Sequence, residues 1–256
     1  MDDFPPEIHL EAAHRPWPLP DGPWLMTQTW NDLLFAHWPV DTRVLRERVP
    51  AEFELDLYDG EAWLGIVAFH MTNVAPRLVP ALPWISAFPE LNVRTYVRVD
   101  DKPGVYFFSL DAGSAVAAGT ARTLLNLPYF TAKMSVEVTD SGEVRYNSRR
   151  ITSPKSPPAE FTARYQGLGD RSAPVQGTLE YFLTERYCLY AIDHSNQGYR
   201  LDIHHPPWPL ERGDGEITAN TMAQAAGVPL PDVAPLFHFS KRQDALAWAP
   251  TAIPCR

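Results

Sequence analysis

Short apolar runs, broken every few residues by proline, set the pattern of this chain. Proline breaks helix interiors and keeps to sheet edges and turns, so the spacing predicts strands and turns rather than long helices. Strands are predicted over Ala62–Met71, Asn92–Val99 and Val105–Leu110, with a β-turn at Asp101–Gly104, where Pro103-Gly104 is turn chemistry. Tyr129–Thr139 and Glu143–Ile151 read as a hairpin about Asp140-Ser141-Gly142. Arg186–Ile192, Tyr199–His204 and Leu236–Ser240 are further strands, and Thr152–Pro158 is a proline-serine loop. Helices are predicted at Thr42–Val49, capped by Asp41 or Thr42 and stopped by Pro50, and at Ser114–Asn126, which is filled with alanine and ends before Pro128. Shorter ones are expected at Thr178–Glu185 and Thr218–Ala226. No internal repeat or low-complexity block divides the chain, so 1–256 reads as one domain, with residues 1–24 an irregular arm tucked down by Trp17 and Trp24 and residues 25–250 a strongly curved sheet or barrel.

Two strands are polar where a core strand is not. In Phe88-Pro-Glu90-Leu-Asn92-Val-Arg94-Thr-Tyr96-Val-Arg98 the period is two: Leu91, Val93, Val97 and Val99 face one way, and Glu90, Asn92, Arg94, Tyr96 and Arg98 the other. That polar face is either exposed to solvent or the lining of a barrel cavity. In Tyr129–Glu137, Phe130, Ala132, Met134 and Val136 form the apolar face and Lys133 stands opposite with Tyr129, Thr131 and Ser135. Lys133 is either an exposed lysine that discourages edge pairing or a desolvated amine with a lowered pKa, nucleophilic toward carbonyls.

Composition narrows the function classes. Of 256 residues 45% are hydrophobic and 21% charged, which is globular composition. Thirty-one acids against 22 bases give a formal charge of −9, the wrong sign for a nucleic-acid or anionic-membrane binder. The N-terminus is acidic and proline-broken, unlike a secretory signal, no apolar run is long enough to span a bilayer, and two cysteines make no disulfide framework. The chain thus reads as soluble and cytoplasmic, with a small molecule as its partner and a homo-oligomer left open. Four of the bases are lysines, which makes Lys133 conspicuous.

Phosphate-loop, dinucleotide, zincin, nucleophile-elbow and C-x-x-C motifs are absent. His204 and His205, adjacent in a strand, point to opposite faces and do not share an ion, so a metal enzyme using His37, His204 or His205 is the weakest reading and no metal or cofactor is assigned. Cys188 is a thiolate beside Arg186 or a small buried hydrophobe. Gly113-Ser114 is a carboxylate-binding helix start or an ordinary cap.

Seven blocks in order resemble the YqjF-like family of uncharacterised bacterial proteins. They are Gln28-x-Trp30-Asn-Asp-Leu-Leu-Phe35-Ala-His37-Trp38-Pro39, Asp59-Gly60-Glu-Ala-Trp63, the Phe88–Val97 strand, Gly104-Val-Tyr106-Phe-Phe-Ser-Leu-Asp111-Ala, Leu127-Pro128-Tyr129-Phe, Glu185-Arg-Tyr-Cys-Leu-Tyr190 and His204-His-Pro-Pro-Trp208-Pro-Leu210. The resemblance implies the acetoacetate decarboxylase-like superfamily: a mainly β (α+β) fold, a curved, largely antiparallel β-barrel with an internal polar pocket and a few peripheral helices. It also implies a chemistry, in which a lysine forms a Schiff base with a keto acid, aided by carboxylates and an arginine. On that resemblance Glu90, which looks like the superfamily's pocket glutamate, is expected to transfer protons, Arg94 to hold the carboxylate, and Asn92, Tyr96, Tyr129 and Arg122 to bind substrate. The decarboxylases place two lysines directly after a proline; here Pro128 is followed by Tyr129-Phe130, and the amine on offer is Lys133, roughly 13 Å further along the strand from Tyr129. The readings that follow are a decarboxylase-like lyase with Lys133 and Glu90 catalytic, and a barrel that binds a small organic acid without turnover.

Overall fold

A computed structural model describes residues 11–78, 86–151 and 157–254. In chain order it contains β1 (Met26–Val40), α1 (Thr42–Arg48), β2 (Glu54–Leu55), β3 (Ala62–Pro76), β4 (Phe88–Val99), β5 (Lys102–Ala112), α2 (Ala115–Leu125), β6 (Tyr129–Val138), β7 (Val144–Arg150), β8 (Glu160–Gly167), α3 (Leu179–Thr184), β9 (Cys188–Ile192), β10 (Gly198–His204), β11 (Glu211–Asn220), α4 (Met222–Ala225), β12 (Leu236–Ala247) and β13 (Thr251–Ala252). Local chemistry accounts for the helix ends. Asp41 accepts from the Arg43 amide to start α1, Ser114 caps α2 at the Ala117 amide, and Asn126 closes α2 in the left-handed region before Pro128. Ser114 is therefore an ordinary cap.

The strands close on themselves. β5 pairs in parallel with β6, and the order continues β7-β8-β11-β12-β1-β3-β4 and back to β5 through antiparallel ladders, a nine-stranded mixed barrel. The sheet also forks. Near its start β5 pairs with β9 at Val105↔Leu189, β9 pairs with β10, and β10 reaches the end of β12 at Ile203↔Ala247. A second, smaller ring of seven strands results, sharing β12, β1, β3, β4 and β5 with the first.

The shared strands β1, β3 and β4 are therefore buried on both faces, which is why β3 reads as an almost unbroken apolar run. One face carries Leu34, Ala36, Ile66, Ala68, Leu91 and Val93 and packs with Tyr146, Phe161 and Ala163 inside the barrel. The other carries Leu33, Phe35, Val67 and Phe69 and faces the smaller ring. Two bulges re-aim side chains toward that second interior. In β1 the pairing with β3 jumps from Asn31↔His70 to Leu34↔Ala68 around Asp32, whose φ of 49° is left-handed, so Trp30 and Leu33 face the same way. In β5 the pairing jumps from Ser109 to Phe107, bringing Leu110 and Phe107 to one side.

Several expectations change. The turn between β4 and β5 is at Asp100-Asp101, and Pro103-Gly104 lies inside β5, where a Cβ on Gly104 would come within 2.7 Å of the Cys188 Sγ. Thr218 belongs to a strand, not a helix: β11 pairs with β8 through Asn220, and α4 is a single turn after it. β1, β8 and the first part of β11 were not expected as strands, and β12 continues seven residues beyond Ser240. Most of the Thr152–Pro158 loop lies outside the described residues, as do residues 1–10 of the arm. Further along the arm, Trp17 packs against the Phe53–Ile253 cluster and Trp24 against the cluster of Leu246 and Trp248. No helix among the described residues is long and apolar enough to cross a membrane.

Candidate functional site

Inside the smaller ring lies a cavity of about 110 Å³. At ~30 Å³ per water it holds roughly three or four waters, or one small organic molecule. Its walls are aromatic and aliphatic, with Trp30, Phe35, Phe69, Phe107 and Trp208 among them, and a few polar groups enter: Glu90, Asn92 and Arg94 from β4, Tyr129 from β6, and Arg186 and His205 from the segments flanking β9 and β10. Alternation along β4 places the first three on one face, and the smaller ring turns that face inward.

Glu90 is buried, and the Tyr129 hydroxyl donates to its Oε2 at 3.0 Å. Burial pushes the carboxyl up to about 7, against the downward pull of its hydrogen bonds with Tyr129 and Asn92, and the nearby Asp111 adds to the rise. Asn92 is buried with its Oδ1 unpartnered. Arg94 donates from Nη2 to the Leu183 carbonyl at 2.9 Å and lies over the Phe35 ring, while its Nε is buried without a partner. An unsatisfied donor on a cation is costly in a protein interior and is relieved by an anion.

Arg186 is the second cation at the cavity. It is buried, donates to Asp56 at 2.6 Å and to the Phe182 carbonyl at 2.6 Å, and stacks on the Phe182 ring. Desolvation lowers its pKa from the usual arginine value while Asp56 raises it. His205 faces two backbone carbonyls, that of Pro206 with Nδ1 (2.7 Å) and that of Arg186 with Nε2 (3.3 Å), and the Gln243 amide nitrogen lies 3.1 Å from Nδ1. Burial drives its pKa down to about 4, so it is neutral. The Trp208 amide donates to Glu185, whose other oxygen accepts from Tyr187, and Tyr187 stacks on His205 with ring centroids 4.7 Å apart. The Glu185–Tyr190 and His204–Leu210 blocks thus knit into one wall.

The structure brings together Glu90, Asn92, Arg94 and Tyr129 and separates the rest. Tyr96 shares their face but lies beyond the cavity, its hydroxyl engaged by His37 Nε2 at 2.7 Å and the Leu183 carbonyl at 2.9 Å. Arg122 is exposed in a cleft outside Tyr129, where its Nε donates to the Tyr129 carbonyl. Lys133 stands on the outer face of β6, exposed, in a different surface cleft with Arg149 and Glu160. Met134 and Val136 of β6 face the barrel core, so Lys133 and Ser135, next to them on the opposite side, face water. No lysine among the described residues lines the cavity. Lys102 lies over the Trp17 ring, Lys241 pairs with Asp32, and Lys155 is outside the described residues.

Cys188 is buried, and burial pushes its thiol up to about 12, so it is no thiolate despite Arg186 nearby. Among the described residues no three His, Cys, Asp or Glu side chains gather in a way that could hold a metal ion. Sequence reasoning did not single out Arg186, His205 or Trp208 as cavity residues. Their only signal was the presence of Arg186 and His205-Pro-Pro-Trp208 in short motifs whose spatial meeting the sequence does not state.

The chain matches the sequence model of the family DUF2071, described as an uncharacterized conserved protein, over residues 27–244. It is 46% identical over 230 residues to the uncharacterized protein YqjF of Bacillus subtilis (strain 168), a match covering 90% of this chain and 93% of that one. Among solved structures it is similar to an acetoacetate decarboxylase from Legionella pneumophila, with TM-score 0.61 and 15% identity over 99% of this chain and 98% of that one. It is also similar to the enduracididine biosynthesis enzyme MppR complexed with pyruvate, with TM-score 0.60 and 10% identity over 91% of each chain. At such identities the likeness is one of fold, the acetoacetate decarboxylase-like barrel.

Proposed function

The chain belongs to the DUF2071 family, and we propose that its inner cavity binds a small oxo acid and moves a proton on it. One observation carries this reading: a carboxyl with a pKa of about 7, Glu90, and an arginine with an unpartnered buried Nε, Arg94, line the same small cavity. Arg94 takes the substrate carboxylate at Nε. Arg186, held by Asp56, adds positive charge that favours the anion without itself being free to leave. The carbonyl end then lies toward Glu90 and Tyr129.

Near neutral pH Glu90 is divided between its two forms and serves as base or acid. As a carboxylate it removes a proton from the carbon next to the carbonyl; the C–H electron pair becomes the enolate double bond, and the oxygen charge that develops is met by the Tyr129 hydroxyl. For a β-oxo acid the same groups support loss of carbon dioxide, the broken C–C bond supplying the enolate and protonated Glu90 returning a proton to carbon. A Schiff base is not part of the reading, because Lys133 lies outside this cavity. Support also comes from the fold neighbours, one of which is complexed with pyruvate and another of which is an acetoacetate decarboxylase.

The test is proton exchange. Pyruvate incubated with the protein in heavy water at pH 7 should lose its methyl proton signal, and Glu90→Gln should abolish that loss while retaining binding. A melting shift with pyruvate but no exchange makes the protein a binding barrel. Neither effect across a panel of short oxo acids ends the proposal.

A further inference from the structure

Outside the cavity, a surface cleft of about 600 Å³ shares three lining residues with it: Phe107, Leu127 and Tyr129. The cleft is of a size usual for ligand sites, walled by Tyr106, Phe130 and Tyr190, with Arg122 among its lining residues. On the His205 side the cavity wall is more than one ring thick. Behind His205 lie Tyr187 and then the Arg15 guanidinium, 4.8 Å from the Tyr187 ring centroid. Toward the cleft the same side chains line both spaces.

We propose that the aromatic cleft is the outer compartment of this site, through which a short-chain oxo acid reaches the cavity, and that Tyr129 is the gate that selects what passes. Tyr129 is half-buried with a face in each compartment, and its side-chain hydroxyl is held by Glu90. It follows directly on Asn126, in the left-handed region with φ of 52°, and Leu127-Pro128, a connection outside both helix and strand. Swinging the ring out breaks one hydrogen bond and uncovers the Glu90 carboxyl to the incoming molecule. A ligand with a polar oxygen replaces that bond and an apolar one does not, so the gate favours oxo acids over hydrocarbons of equal size. Arg122, the candidate that lies outside the cavity, then has a place on the route as the cation an acid meets first.

The identity of the molecule that passes rests on the oxo-acid reading, but the route does not, and the test needs no substrate. In a chain carrying Cys188→Ser and Cys255→Ser, Leu189→Cys places a thiol on the inner cavity and outside the cleft lining. Its labelling rate by methyl methanethiosulfonate then reports access. Tyr129→Phe should label about tenfold faster, the effect of removing one hydrogen bond from the closed state. Tyr129→Ala should be faster still, and Gln28→Ala, at the other end of the cavity, unchanged. Leu201→Cys is a second reporter on the same cavity if the first does not fold. A rate that rises for Gln28→Ala as much as for Tyr129→Phe, or for neither, overturns the gate and leaves the acid-binding reading standing. Failure of pyruvate to bind would overturn that reading and leave the gate.

Discussion

On one side of β1, β3 and β4, Leu34, Ile66, Leu91 and their neighbours meet Tyr146 and Phe161 in a filled core; on the other, the same strands hold Glu90, Asn92 and Arg94 against a cavity. Strand alternation separates the two sets by a single residue step, so a one-residue slip of β4 would exchange them. The filled side contributes burial and pins the register. The open side contains what a stability-driven design would exclude: an orphaned arginine nitrogen, an unpartnered amide oxygen and a carboxyl held partly protonated. Proteins place such strain where they bind or react.

The largest way to test that contrast is truncation on each side. Phe161→Ala, in the filled core, should cost about 3–5 kcal/mol in urea unfolding, the full price of an empty hole. Phe35→Ala, on the cavity side, should fall at the lower end of that range, because the enlarged space remains polar enough for water to enter. Equal losses would mean that the two interiors do not differ in this respect.

Next comes the pH dependence of Glu90. Its folded pKa of about 7 stands above the ordinary 4.5, so between those values the folded state keeps a proton that the unfolded chain releases. Stability therefore falls as pH rises through this window, by up to about 3 kcal/mol. His205 acts in the opposite sense: its folded pKa is lowered from 6.5 to about 4, so its contribution is present at neutral pH and is lost as pH falls across that range. Glu90→Gln removes only the first slope, and the difference between wild type and variant, followed by urea unfolding from pH 4.5 to 8, isolates it. Parallel profiles would show that Glu90 titrates like an exposed carboxyl.

Arg94→Ala should weaken pyruvate about 10- to 100-fold by calorimetry, or roughly 1.5–3 kcal/mol, the range of a hydrogen bond to a charged group. It should leave the melting temperature nearly unchanged, since an unsatisfied donor goes with it. Smallest of all, Lys133→Ala on the outer face of β6 should change stability by no more than about 0.5 kcal/mol and leave pyruvate exchange intact. Loss of exchange in that variant would restore the Schiff base and displace the Glu90 mechanism.

Much of the fold was legible because its signals are local. The caps at Asp41 and Ser114 and the hairpin around Gly142, whose φ is 86°, depend on residues within one turn of one another. β1 was not legible for the opposite reason: its bulge at Asp32 breaks the period that a local reading depends on. β11 failed similarly, since Gly213 and Gly215 weaken strand propensity and pairing with β8 and β12 holds it extended. Half of the site was visible as the polar face of β4; Arg186, His205 and Trp208 were not, because nothing in their own segments says which strand they will face.

By itself the sequence determined which side chains travel together, because the direction of a side chain in a strand alternates with every residue: Glu90 with Asn92 and Arg94, and Lys133 with Ser135. Whether such a face meets water or a closed interior was decided only in three dimensions. The face of β4 turns inward because β9 and β10, about a hundred residues later, complete a second ring over it. Past Tyr129, the stretch of β6 that carries Lys133 and Ser135 turns outward because β7 and β8 close the first ring on its other side. Ring closure depends on contacts far apart along the chain, and no local pattern encodes them.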